Sequence, residues 1–249
     1  MIIDAHVHVN EDRCGVPTFE RGTDIWMKYQ PKVNCDMLIH CADERYEHIQ
    51  EAIDKYEKYD GKIRSMFRFE ATRAEECIAW MNQYCDHPAF VGIKLHPPVE
   101  KVAADDERFR AVWEWADKHN FPIMSHTWAA TNPSQATATP DKFEKYLKDY
   151  PKVNFVFGHA GGRTRGIIEA VELGKKYKNA YYDLAGDVYN RKLIEYICQN
   201  VGADHLMVGS DLPWFDLAVP TGMVLGADIT EEEKLLILGG TAEKLFLKR

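Results

Sequence analysis

The chain has 249 residues, 45% of them hydrophobic, with a formal charge of −8 and six cysteines, enough length to bury a large core within one domain, 1–249. The acidic balance and the lack of any Lys/Arg-rich run exclude a nucleic-acid surface, which needs clustered positive charge, and no apolar stretch approaches the ~20 residues that span a bilayer. No basic leader precedes the strand-like run at Ile2, and the cysteines (Cys14, Cys35, Cys41, Cys77, Cys85, Cys198) lack CxxC spacing, so a cytoplasmic protein with reduced thiols and a small-molecule partner is expected.

Eight short runs rich in Ile, Val, Phe and Tyr read as strands: Ile2–Val9, Asp36–Cys41, Lys62–Phe69, Phe90–His96, Phe121–His126, Val153–His159, Ala180–Leu184 and His205–Ser210. Amphipathic segments alternate with them. Helices are predicted over Glu44–Tyr59, Thr72–Tyr84, Asp105–His119, Asp141–Tyr150, Arg165–Tyr177 and Val188–Val201, and a last one over Thr230–Leu247. Thr72 and Thr230 are placed to cap N-termini, Thr230 with Glu233 as a capping box, while the run Asn120-Phe-Pro122 stops a helix. Strict alternation requires parallel strands joined by right-handed crossovers, and eight such units close into a (β/α)8 barrel of the α/β class. Two connections are longer than the rest, Asn10–Lys32 with Phe19, Trp26 and Tyr29, and Thr127–Pro140 with Trp128. Loops that follow strands form the catalytic face of a barrel, so both are expected to cover a site.

Buried strands ordinarily end in apolar residues, yet here they end in groups that bind metals or move protons. The first strand carries Asp4, His6 and His8 on one face, the period of two letting both imidazoles reach one ion. The fourth ends in Gly92-Ile-Lys94-Leu-His96, the fifth in His126, the sixth in Gly158-His159 and the eighth in Ser210-Asp211. Five of the 10 histidines thus lie at the carboxyl ends of four strands, the face where barrel enzymes place their chemistry. Neutral imidazoles with a carboxylate suit Zn²⁺, and less well Mn²⁺, Fe²⁺ or Co²⁺. Such an ion lowers the pKa of its water to ~7 and polarises a carbonyl. Asp211 is the candidate base, placed to orient that water, take its proton and pass it to a leaving group.

These motifs, with Asp211-Leu-Pro213-Trp214 and the tail Ile237-Leu-Gly-Gly240-Thr241-Ala242, resemble the amidohydrolase superfamily over nearly the whole chain, in the amidohydrolase-related branch that also contains decarboxylases. The tail departs from the usual pattern in carrying Thr241 where Asn is common. The resemblance implies that His6, His8, His126 and Asp211 bind a metal, with His159 beside it as a second ligand or a catalytic group. It also marks Lys94: in binuclear relatives a lysine at the end of the fourth strand carries a carbamate that bridges two metals. In mononuclear relatives that strand supplies no ligand, and Lys94 with His96 would hold an acidic substrate. One metal per chain is the expectation, two if Lys94 is carboxylated.

Arg68, ending the third strand, and Arg163, after the Gly161-Gly162 turn, are candidates for a bidentate contact with a substrate carboxylate. Trp128, Trp214 and Trp26 are candidates to wall an apolar pocket, and Asp183 and Asp187 to orient a histidine, Asp187 alternatively to cap a helix. Two reactions follow from one ligand set: hydrolysis of an amide, lactone or ester in a small, acidic molecule by metal-bound hydroxide, or non-oxidative decarboxylation of an aromatic or unsaturated acid. A non-catalytic metal-binding protein gains nothing from the extra histidine and the covering loops. Self-association as a homo-oligomer is compatible with the barrel.

Overall fold

The computed structural model describes residues 1–8, 23–41 and 48–248, with the backbone alone at 24 and 25. Eight strands run in chain order: β1 (Ile3–Val7), β2 (Met37–His40), β3 (Ile63–Arg68), β4 (Phe90–Leu95), β5 (Ile123–His126), β6 (Phe155–Gly158), β7 (Ala180–Asp183) and β8 (Leu206–Met207). Each pairs in parallel with the next. The ends of the sheet meet through Ala5 N to Val208 O (3.1 Å), Asp211 N to His6 O (2.8 Å) and His8 N to Leu212 O (2.6 Å). The eight expected strands are therefore present in the expected order, in a (β/α)8 barrel. The last is the shortest, because beyond Met207 the chain turns its polar groups to β1 instead of extending the ladder.

The helices between strands are α1 (Thr23–Tyr29), α2 (Ile49–Lys58), α3 (Ala74–Tyr84), α4 (Pro97–Glu100), α5 (Arg110–His119), α6 (Glu144–Asp149), α7 (Thr164–Lys176) and α8 (Leu193–Val201); after the last strand come α9 (Ala218–Leu225) and α10 (Glu231–Leu235), followed by π-helical turns over Leu236–Gly240 and Glu243–Leu247. Asn120 ends α5 in the left-handed conformation, its N–H returning to Ala116 O, and Thr230 opens α10 with the reciprocal Glu233 capping box. Thr72 does not cap: it lies inside a 3-10 turn, Ala71–Arg73, and α3 starts after Arg73 without a side-chain cap. The start of the predicted helix at Glu44, Phe19, Cys14 and most of the first long loop lie outside the described residues. No described helix is long and apolar enough to cross a membrane.

Two buried apolar clusters hold the barrel. The larger packs helices on the outer strand faces and includes Phe67, Trp80, Trp113, Phe155, Tyr182 and Ile197. The smaller gathers Met66, Met124, Val156, Tyr181 and Met207 with Leu245 and Phe246 from the final turns.

Candidate metal and active site

A cavity of about 290 Å³ opens at the carboxyl ends of the strands, lined by His6, His8, Lys94, His96, His126 and His159, by Asp187 and Asp211, and by Trp128, Gln135, Gly186, Trp214 and Phe215. Close packing brings the strand ends together here. A Cβ at Gly209 would sit 2.8 Å from the His6 Cβ, so glycine lets the end of the eighth strand lie against β1. Gly162 has φ +82°, and a Cβ there would fall 2.7 Å from the Trp128 ring. His159 (φ 60°) and Asp211 (φ 65°) are themselves left-handed, a conformation that costs free energy in non-glycine residues and is concentrated at functional sites.

The histidines are oriented by groups behind them. His6 Nδ1 donates to Asp183 Oδ2 at 2.9 Å, and the other oxygen of that carboxylate accepts from His159 N (2.8 Å) and Ala185 N (3.0 Å). Asp183, expected to orient a histidine, thus holds two strand ends at once. His159 Nδ1 lies 3.0 Å from Ala185 O. A carbonyl only accepts, so the proton is on Nδ1 and His159 Nε2 keeps its lone pair toward the cavity. The sixth strand's histidine and the first strand's are thereby both fixed from the end of β7.

The inward nitrogens converge. His6 Nε2 is 3.3 Å from His8 Nε2 and 3.7 Å from Asp211 Oδ1, and His8 Nε2 is 3.2 Å from the same oxygen. His6, His159 and Asp211 each bring a ligand atom within 4.8 Å of the other two. His126 Nδ1 faces His159 Nε2 at 3.1 Å. Nitrogens about 2.0–2.1 Å from a tetrahedral ion lie about 3.3–3.4 Å apart, so this donor set fits a divalent cation. Burial lowers His6 well below the usual histidine range, with Lys94 adding to it, and burial takes His126 down to about 3. Both rings are therefore neutral at pH 7, the form a metal requires. Burial works to raise Asp211, but the hydrogen bond from His8 overcomes it and holds the carboxyl below the carboxylate range.

The remaining predicted residues divide. Lys94 is buried at the cavity floor, its Nζ 2.9 Å from His6 Nε2. His96 stacks flat on His126 at 4.5 Å between centroids, with Trp128 on that ring's own stack at 6.0 Å. Trp214 meets His8 edge-on at 5.1 Å. Arg68 is not brought in: although it pairs in register with Lys94, it is buried with a guanidinium nitrogen 3.9 Å from Glu100 and lines a separate pocket with His40 and His48. Arg163 reaches only the rim, where Asp187 pairs with it at 2.6 Å and its guanidinium lies over Trp128. That pairing is what Asp187 does; it caps no helix, since α8 begins at Leu193. Trp26 packs on the outer core instead of the site. Gln135 and Phe215 were missed. Gln135 Oε1 accepts from His126 Nε2 (2.9 Å), and nothing in its loop's sequence sets it apart from its polar neighbours. Phe215 merely follows Trp214.

Residues 41–247 match the amidohydrolase family, and the chain belongs to it. No curated protein matches the sequence. Among solved structures, an uncharacterised TIM-barrel protein from Bordetella bronchiseptica superimposes with a TM-score of 0.80 at 18% identity, covering 98% of this chain and 97% of its own. A 2,6-dihydroxybenzoate decarboxylase from Rhizobium gives 0.74 at 12% identity over 98% of both chains. An amidohydrolase from Burkholderia multivorans with bound zinc gives 0.74 at 14% identity, again over 98% of both. These likenesses establish a shared fold with hydrolases and decarboxylases alike.

Proposed function

We propose that this protein is a metal-dependent hydrolase of an amide, lactone or ester bond in a small acidic molecule, using one divalent ion, Zn²⁺ first among the choices. The observation that carries the reading is Asp211: a carboxylate oxygen 3.7 Å from His6 Nε2 and 3.2 Å from His8 Nε2, among converging imidazoles that line a cavity. His6, His8 and Asp211 would hold the ion from one side, and the His126–His159 pair from the other. A bound divalent ion supplies a water of lowered pKa, near ~7, and a polarised carbonyl.

The chain's own residues account for the rest. Asp211 takes a proton from the attacking water and hands it to the departing nitrogen or oxygen, so that water adds across the broken bond and an acid and an amine or alcohol leave. Lys94 donates to the lone pair of His6 Nε2; with an ion held by His6, the Lys94 side chain would be free to bind a substrate carboxylate. Trp128, Trp214 and Phe215 line the cavity with apolar surface against which a substrate packs. Cytoplasmic residence is proposed with this activity, since the thiols of Cys35, Cys77 and Cys198 are free and burial pushes them up to about 12, 11 and 12, which keeps them inert.

Decarboxylation of an aromatic acid is the second reading, favoured by the aromatic walls around the buried Lys94. It needs a proton donor to carbon, a role for which His159 and Asp211 are the candidates in the cavity. Elemental mass spectrometry on protein purified without chelator is expected to find about one zinc per chain, and lactones or amides screened with it should yield acid without CO2. Evolution of CO2 from an aromatic acid, with no hydrolysis, would overturn the first reading in favour of the second. Asp211→Asn is expected to keep the fold and lose roughly 10²–10⁴-fold in turnover, the usual worth of a positioned base; unchanged turnover removes Asp211 from that role.

A further inference from the structure

The loop from Thr127 to Pro140, expected to cover the site, is tied down. Its 3-10 turn, Gln135–Ala138, is anchored by Trp128 N to Ala138 O (3.1 Å) and Ala104 N to Thr137 O (2.8 Å). Gln135 itself is seated by its N–H on Asn132 Oδ1 (3.0 Å). From this seat its side-chain oxygen meets His126 Nε2 at 2.9 Å.

His126 lies in a stack, with His96 on it at 4.5 Å and 8° and Trp128 at 6.0 Å and 14°. Stacking fixes the plane of a ring, but it does not decide which nitrogen carries the proton. That choice matters, because His126 Nδ1 stands 3.1 Å from His159 Nε2, and the proton of His159 is already committed to Ala185 O. Left to itself, the neutral His126 would place its proton on Nδ1 and close the gap as a ring-to-ring hydrogen bond. A proton there competes with a cation for the same two lone pairs.

We propose that Gln135 is the positioning residue that prevents this: its amide oxygen accepts the Nε2 proton of His126, so Nδ1 stays bare and the His126–His159 pair stays open to a metal ion. The inference rests on the metal reading of the site given above. It assigns the covering loop a second task, as a brace behind one ligand, in the manner of the outer groups that set tautomer and affinity in metal sites. A glutamine suits it, being neutral and long enough to reach the ring from a turn anchored elsewhere.

The test uses the full chain, stripped of metal and then titrated with Zn²⁺. In 15N-labelled protein, long-range ring correlations are expected to show His126 of the wild type protonated at Nε2. Gln135→Met, close in size but without an acceptor, should move the proton to Nδ1 and weaken zinc binding by roughly 10–100-fold in chelator competition, the usual effect of losing such a partner. Gln135→Glu, which can only accept, should keep the wild-type pattern and affinity near wild type. A wild-type ring protonated at Nδ1, or a Gln135→Met protein with unchanged ring signals and zinc affinity, overturns the proposal. If Gln135→Met fails to fold, the wild type and Gln135→Glu still decide it, since Nδ1 protonation in either is fatal. A wild type that takes up no zinc sinks the metal reading, while the ring signals still judge Gln135 separately.

Discussion

Two layers of one barrel interior use the same strands for opposite purposes. On β5, Met124 lies in a dry cluster with Leu245 and Phe246, and two residues on, His126 faces the cavity. On β7, Tyr181 belongs to that cluster and Asp183 holds His6. Side chains at i and i+2 share a face, so each strand passes from oil to chemistry within one period. The lower layer contributes stability through burial and close packing. The upper layer forgoes it: burial raises Asp183 and pushes Asp4 to about 7, which means that these carboxylates are ionised only against a desolvation cost. The barrel tolerates that cost because the layers are separate, and a change in one should leave the other standing.

The largest effect that would break this separation, or confirm it, is His8→Ala. His8 stands at the upper edge, 8% exposed, bonded to Asp211 and packed edge-on to Trp214. Turnover should fall by roughly 10³-fold or more, the scale on which single groups in preorganised sites are felt, and bound metal should drop well below one per chain. The circular dichroism spectrum should not change. Full metal content with retained activity would remove His8 from the ligand set, and a collapsed spectrum would mean that the upper layer supports the fold after all.

The reciprocal experiment is Phe246→Ala. Phe246 is 1% exposed, and its ring lies where a Cβ on Gly92 would approach within 3.3 Å, directly under the strand that carries Lys94. Removing a buried phenylalanine costs about 3–5 kcal/mol, read as a lowered denaturant midpoint. Zinc stoichiometry in the folded fraction is expected to stay as in the wild type. Lost stoichiometry at a temperature where the chain is folded would show that the plug and the site are coupled through β4.

The same contrast explains what could be read from the sequence. All eight strands were legible because a parallel strand buried on both faces is a continuous apolar run, and the site was legible because His6, His8, Lys94, His126, His159 and Asp211 interrupt such runs at one end. Loops and surface-spanning pieces carry no comparable signal. α1, α4 and α9 went unpredicted; α4 has only four residues, and α9 is apolar nearly all round, without helical periodicity. Arg68 was expected at the cavity because it ends a strand, but a strand end does not reveal that its guanidinium lies beside Glu100 instead. Gln135 was invisible since its role comes from where a loop returns, not from any pattern within it.

The smallest expected effect lies at the rim of the upper layer, where Tyr29 at the end of α1 donates to Asp216 Oδ2 at 2.5 Å. The other oxygen of Asp216 accepts from Ala218 N at 2.7 Å, starting α9. One carboxylate therefore ties the chain after β1 to the loop that carries Trp214 and Phe215 over the cavity. Burial pushes the Tyr29 hydroxyl up to about 12, with the Asp216 hydrogen bond and charge adding to it, so the phenol stays a donor across the working pH range. Tyr29→Phe deletes that donor and leaves the ring. A hydrogen bond of this kind is worth about 0.5–1.5 kcal/mol net, and because it acts on the walls and not on the ligands, the loss should appear as a KM raised by up to about tenfold with kcat nearly unchanged. Tryptophan emission should shift as Trp214 loosens. If kcat falls while KM holds, the aromatic loop takes part in the chemistry instead of enclosing it, and the division between a working layer and its rim has to be redrawn to include Trp214.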